Sequence, residues 1–232
     1  MPKYIKEFYD GYYNDNLEYW ESTLLLRFNN DKKILTNFDV DNNSNLISNK
    51  VLNHGASNKL YTDLEYIKSN ANAAIEYCAE IQSKFKCPSI FTAVNVGEKY
   101  AEATEDYVSV IITAGVKTNA ISSGKESNTS KRKEGTINII VIIDKKLTST
   151  AEQQLFMNIT EAKTGALYDL NIMSSYSDNL ATGTGTDSLV IVSNTDSSDE
   201  LITYAGGHAD VTVLVTKLVR ETTIKAILNQ IS

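Results

Sequence analysis

His208 is the side chain whose type and position best suit proton transfer. It follows Gly206-Gly207 at the expected opening of a C-terminal helix, where free backbone N–H groups and the helix macrodipole disfavour imidazolium and keep the ring able to accept a proton. A capping or core-satisfied histidine is the plainer explanation of the same residue. Asp187 closes the run Ala181-Thr182-Gly183-Thr184-Gly185-Thr186-Asp187. Two glycines spaced by threonine present N–H and hydroxyl donors to a carbonyl or a developing oxyanion, and the carboxylate can orient an imidazole or activate water. A strand-entry turn would account for the run equally well. It lacks a Gly-Lys-Ser/Thr ending and leads into a strand, so it is not a phosphate-binding P-loop. Glu161, two residues before Lys163, reads either as a general acid/base with a charged neighbour or as part of a solvated helix face.

Three more polar runs accompany the threonine-glycine turn: Gly135-Thr136-Ile137-Asn138, Thr160-Glu161-Ala162-Lys163-Thr164 and Tyr204-Ala205-Gly206-Gly207-His208. Each abuts an apolar strand or helix, and small residues beside hydroxyls, amides and single charges at the ends of rigid elements are what polar pockets are built from. Other chemistries lack their signatures. There is no Gly-x-Ser-x-Gly elbow and no His-Glu-x-x-His, and a threonine nucleophile needs an activating base or a terminal amine. His54, His208, Glu161 and Asp187 are acceptable zinc ligands, but their spacing supports no particular geometry. His54 follows an expected strand and reads as a turn residue. Cys78 and Cys87, eight residues apart, match neither a redox pair nor a zinc knuckle, and Cys78 reads as a small buried hydrophobe.

The 232 residues carry a net charge of −7, which argues against a nucleic-acid surface, because phosphate binding needs clustered Lys and Arg. Lys131-Arg132-Lys133 is short and reads as a solvated turn. No apolar run approaches the roughly 20 residues that cross a bilayer, and the N-terminus lacks a hydrophobic signal core. The expectation is a soluble, cytoplasmic, single-domain protein without a nucleic-acid or membrane partner, with homo-oligomerisation left open.

The elements that must position these groups are legible as apolar patterns. Ser22–Phe28 and Lys33–Phe38 flank the turn-forming Asn29–Lys32 and predict a hairpin, and a third strand is expected near Asn45–Leu52. Apolar residues at helical spacing predict a helix over 63–85, closed by Pro88. Tyr107–Thr113, Thr136–Ile143 and Ser188–Ser193 are nearly unbroken apolar runs of the kind covered on both faces. They place Gly115 and Asn119 just past a strand end, with a polar segment over Ser122–Glu134. Ser149 and Glu152 have capping-box spacing ahead of Leu155, Ile159, Ala162, Ala166 and Leu170 on one helical face. A last helix, over 208–230, packs through Val211, Leu214, Val215, Leu218 and Ile224. The expected fold is α+β, or mixed α/β, with a mixed sheet, β-rich N-terminal hairpins and flanking helices.

Taken in order, Thr113-Ala114-Gly115-Val116 with Asn119-Ala120, Gly135–Ile139, Thr160–Thr164 with Ala166-Leu167, Ala181–Asp187 and Gly206–His208 resemble the motif series of the adenosylcobinamide amidohydrolase family. The resemblance covers roughly residues 46–230, and Asn53 with Gly55 is similar to an Asn-Gly-Gly turn of that family. The chain departs from it at Lys117-Thr118-Asn119-Ala120, where the family has Ser-Asn-Ala, and at Ser122–Lys125, where it has Gly-Asp, which bears on substrate preference. The resemblance implies hydrolysis of the amide joining aminopropanol to the corrin ring of adenosylcobinamide, giving adenosylcobyric acid for cobamide salvage. On residue chemistry, His208 oriented by Asp187 would activate water and Glu161 would deliver a proton. The Thr182–Thr186 backbone with Asn138 would hold the carbonyl oxygen, and Asn53, Gly115, Asn119, Gly135 and Thr136 would complete the corrinoid pocket. No cofactor is expected, and a metal-activated water is the rival mechanism. A non-catalytic corrinoid-binding module and an amidase for a different small amide are the alternatives.

Overall fold

The computed structural model describes residues 3–12, 20–38, 45–57, 73–126, 134–196 and 200–231. In chain order its elements are β1 (Tyr4–Tyr12), β2 (Trp20–Thr36), β3 (Asn45–Ala56), α1 (Ala73–Phe85), β4 (Ser89–Thr92), β5 (Tyr100–Glu105), β6 (Val108–Ala114), β7 (Ala120–Ile121), β8 (Ile137–Ile143), β9 (Lys146–Leu147), α2 (Ser149–Asp169), β10 (Gly183–Thr184), β11 (Ser188–Asn194), β12 (Leu201–Ile202) and α3 (Asp210–Ile231).

The three apolar runs become β6, β8 and β11, each buried at every position. They are neighbours, β8 running parallel to β11 and antiparallel to β6. Continuous β-branched strands of this kind need cover on both faces. Along them side chains alternate: Ile112, Ile139, Val141 and Ile191 face α2 and α3, whose Leu155, Ile159, Val215 and Leu218 complete that core. Ile111, Ile140, Ile142, Val190 and Val192 face the other way, onto Leu24, Leu26, Phe28, Ile34, Val51 and Ile90 of the N-terminal strands. The period-two alternation of β2 then turns Leu25 outward, where it joins Leu52, Tyr77 and Ile81 beneath α1. The result is a single α+β domain on one mixed sheet of order β4-β3-β2-β11-β8-β6-β5, with β1 on β2.

β2 joins the N-terminal strands to the rest of the sheet. Its first half pairs with β1 and its second half, Lys32–Thr36, pairs with β11, while β3 runs beside both halves with a register shift between Arg27 and Lys32. The hairpin expected at Asn29–Lys32 is therefore corrected: those residues, exposed from Asn29 to Asp31, continue one long strand. Hairpin partners do exist, since β1 and β3 are both antiparallel to β2, but their connections lie outside the described residues.

The helix expected over 63–85 is described from Ala73, and Lys86, at φ 52°, ends it. Cys78 and Cys87 are buried, and burial pushes their thiols up to about 12 and about 11, so both act as small hydrophobes. α2 is capped by Thr148, whose hydroxyl accepts from Ala151 N at 3.2 Å. The expected Ser149/Glu152 box is not formed, because Glu152 turns inward. It is 2% exposed and meets Lys33 Nζ at 2.7 Å and Ser193 Oγ at 3.3 Å. α3 begins at Asp210, two residues past His208. Among the described residues no helix is long and apolar enough to cross a membrane. The 127–133 segment, including Lys131–Lys133, lies outside the described residues.

Candidate functional site

Asp187 stands one residue before β11, at the end of the sheet where β8 also begins, and its carboxylate organises the threonine-glycine turn. It accepts from Ile137 N at 3.1 Å, from Thr184 N at 3.1 Å and from the Thr184 hydroxyl, and it meets Lys163 Nζ at 2.5 Å. Lys163 reaches in from α2, and the next residue, Thr164, donates to Thr182 O at 2.8 Å. The turn wraps the ion pair so closely that a Cβ at Gly183 would lie 2.4 Å from Asp187 Oδ2 and 2.6 Å from Lys163 Nζ. A side chain there would have to displace one of the paired groups. Just past the end of β2, Asn37 donates to Asp187 O at 3.0 Å and accepts from Leu189 N at 2.7 Å.

A second turn locks onto the first. Gly135 takes φ +131°, and a Cβ there would sit 2.6 Å from Gly115 O. Thr136 Oγ1 donates to Thr186 O at 2.5 Å, and Thr186 Oγ1 returns a bond to Gly135 O at 3.2 Å. Asn119 Nδ2 donates to Gly135 O at 2.8 Å, Tyr176 OH donates to Asn119 Oδ1 at 3.0 Å, and Gly185 N donates to Asn119 O at 3.3 Å. Gly115, Asn119, Gly135, Thr136, Thr182, Gly183, Thr184, Gly185, Thr186 and Asp187 thus form one hydrogen-bonded cluster. Lys163, from the Thr160–Thr164 run, belongs to it, as do Asn37 and Tyr176, which no motif marks.

Behind this rim lies a buried amide pair. Asn138 Nδ2 donates to Asn53 Oδ1 at 2.9 Å and to Phe91 O at 3.0 Å, and Asn53 Nδ2 donates to Thr113 Oγ1 at 3.2 Å. Asn138 Oδ1 is buried with no partner among the described residues. Its donors are committed, so the expected role of Asn138 as donor to a carbonyl oxygen is corrected: it presents an acceptor. Asn53, His54 and Gly55 are not a turn but the end of β3. Gly55 is needed because a Cβ would lie 2.1 Å from Val94 O.

His54 points to the opposite face of β3 from Asn53 and is 1% exposed. Nδ1 meets Thr23 Oγ1 at 2.8 Å, Nε2 meets Tyr77 OH at 2.9 Å, and Tyr77 OH donates to Glu21 Oε1 at 2.6 Å. With Thr23 donating to Nδ1, the neutral Nε2–H form completes the chain to Glu21. Burial pushes the imidazole down to about 4, against the pull of Glu21.

The expected trio of His208, Asp187 and Glu161 does not converge. His208 is exposed in the turn before α3, beside the point where Gly207 approaches Asn158. Asn158 and Lys163 are five residues apart on α2, about 140° round the helix, so His208 and Asp187 lie on different sides of it. Glu161 is exposed in the groove between α2 and α3, among Val213, Thr216, Lys217 and Arg220. It is about 200° round from Lys163. The place beside Asp187 expected for an imidazole is held by the Lys163 ammonium. The zinc set of His54, His208, Glu161 and Asp187 is likewise not assembled: among the described residues no three His, Cys, Asp or Glu side chains gather.

The sequence profile of the adenosylcobinamide amidohydrolase family matches residues 6–232. The chain belongs to that family. The family name denotes a hydrolase acting on an amide. MJ1613, an uncharacterized protein of Methanocaldococcus jannaschii, is 36% identical over 154 residues, which cover 59% of this chain and 59% of the relative. The similarity therefore spans less than two thirds of that relative's length. The crystal structure of the PH0078 protein from Pyrococcus horikoshii OT3 aligns over 90% of this chain and 76% of its own at 12% identity, with a TM-score of 0.38, too low to establish a shared fold. Of the five motif runs that resemble the adenosylcobinamide amidohydrolases, four meet in the Asp187 cluster. The run at Gly206–His208 stands apart from it.

Proposed function

We propose that the protein hydrolyses the amide joining aminopropanol to the corrin ring of adenosylcobinamide, in the cytoplasm and as part of cobamide salvage. One observation carries the reading: in a member of an amidohydrolase family, motif runs far apart in sequence close on one end of the sheet as a ring of hydroxyl, amide and backbone groups around a Lys–Asp pair whose ammonium is buried. Water adds to the carbonyl carbon, the C–N bond breaks, and the products are a carboxylate and a protonated amine. Such a reaction requires donors for the carbonyl oxygen as it becomes anionic and a path for the proton of water to the departing nitrogen. The reaction consumes only water, and the partner is a small-molecule corrinoid.

A corrinoid is an apolar ring edge fringed with carboxamides. The threonine and asparagine rim suits the fringe. Phe38, held next to the cluster by Asn37, and Phe91 pack at 5.7 Å between ring centroids and supply an apolar wall. The test is incubation of purified protein with adenosylcobinamide and detection of aminopropanol and adenosylcobyric acid by mass spectrometry, before and after dialysis against a chelator. Release is expected in both. Loss on chelation, restored by zinc, would assign the water to a metal. Corrinoid binding without release would make the protein a binding module, and neither would point to another amide.

A further inference from the structure

The Asp187 cluster contains a buried cation that its surroundings do not use up. Lys163 is 7% exposed, and an ammonium offers three donors. Among the described residues it makes one hydrogen bond, to Asp187 Oδ2 at 2.5 Å. Asp187, by contrast, is fully engaged by Ile137, Thr184 and Lys163. A buried charged donor left short of acceptors is unfavourable, and the deficit is relieved by a ligand oxygen. A side chain at Gly183 would press on both charged groups. Asn138, expected to hold the carbonyl oxygen, has its donors committed to Asn53 and Phe91.

We infer that Lys163 is the donor to the scissile carbonyl oxygen and that Asp187 is the positioning residue that holds the ammonium in place. This rests on the hydrolytic reading above. As water bonds to the carbonyl carbon, the negative charge gathering on oxygen is met by Lys163 Nζ–H, which keeps its proton. The C–N bond then breaks and the proton given up by water leaves on the amine. A preorganised cation aimed at the developing charge favours the transition state over the ground state.

The experiment compares steady-state aminopropanol release by the wild type, Lys163→Met, Lys163→Arg and the double variant Lys163→Met/Asp187→Asn, with thermal unfolding of each. The double variant leaves no unpaired buried charge, so it keeps the question answerable if Lys163→Met does not fold. Loss of one oxyanion donor is expected to lower kcat about 10²–10³-fold. KM should stay within about threefold, because the donor acts mainly on the charge that develops in the transition state. Lys163→Arg, which retains charge and donors, is expected to lose less. A cooperatively folded double variant with kcat within about threefold of wild type, or a loss confined to KM, overturns the inference. A wild-type protein that releases no aminopropanol overturns the hydrolytic reading itself, and the inference with it.

Discussion

His54 shows what a single residue's surroundings decide. Sealed between β3 and α1, the ring is neutral in the folded protein because its pKa is pushed to about 4, whereas in the unfolded chain it returns to about 6.5. Between those values the unfolded chain holds the extra proton. His54 therefore favours the fold fully above about pH 6.5, and that contribution drains away as pH falls toward about 4. From pH 7 to pH 5 the loss is expected to be about 2 kcal/mol. Denaturant unfolding at the two pH values measures it, and His54→Gln should remove that part of the pH slope. An unchanged slope in the variant would sink the assignment. Residue identity announced His54 but not its burial. Lys163 was harder to see. Glu161 and Lys163 flank Ala162 of the buried stripe, each about 100° away, and periodicity alone does not say which flank meets the sheet.

At the scale of elements, the start of α2 separates two sequence signals that look alike. Ser149 with Glu152 has the spacing of a reciprocal cap, yet Thr148 caps the helix and Glu152 is drawn into an ion pair with Lys33 of β2. Thr148→Ala is expected to destabilise by about 1 kcal/mol. Ser149→Ala should stay within about 0.5 kcal/mol. Chemical denaturation of the two variants checks this, and equal losses would refute it. The apolar runs of β6, β8 and β11 and the stripe of α2 were readable because burial on both faces or along one stripe leaves a direct imprint on composition. The continuation of β2 from one neighbour to the next was not. A polar stretch such as Asn29–Lys32 has the same composition whether the chain reverses there or runs on, exposed, to a new neighbour.

Across the whole molecule, the motif runs could be recognised as site material, and Gly115 and Asn119 could be placed past a strand end. Their meeting around Asp187 depends on strand order, which no local pattern encodes. The same gap explains His208: its motif is as recognisable as the others, but α3 packs on the far side of α2 from Asp187, and that placement is set by tertiary packing alone.

β2 is shared between the N-terminal layer and β11, and this has a practical corollary for anyone trimming the chain. A fragment keeping only 100–231 would hold most of the motif residues. It would also strip the partner from one flank of β11 and lay bare the Ile111, Ile140 and Val190 face. Unpaired strand flanks and large oily patches recruit other copies. Such a fragment is expected to precipitate or elute as large aggregates on size-exclusion chromatography, and a monodisperse, cooperatively melting fragment would show that the first hundred residues are a dispensable wrapper.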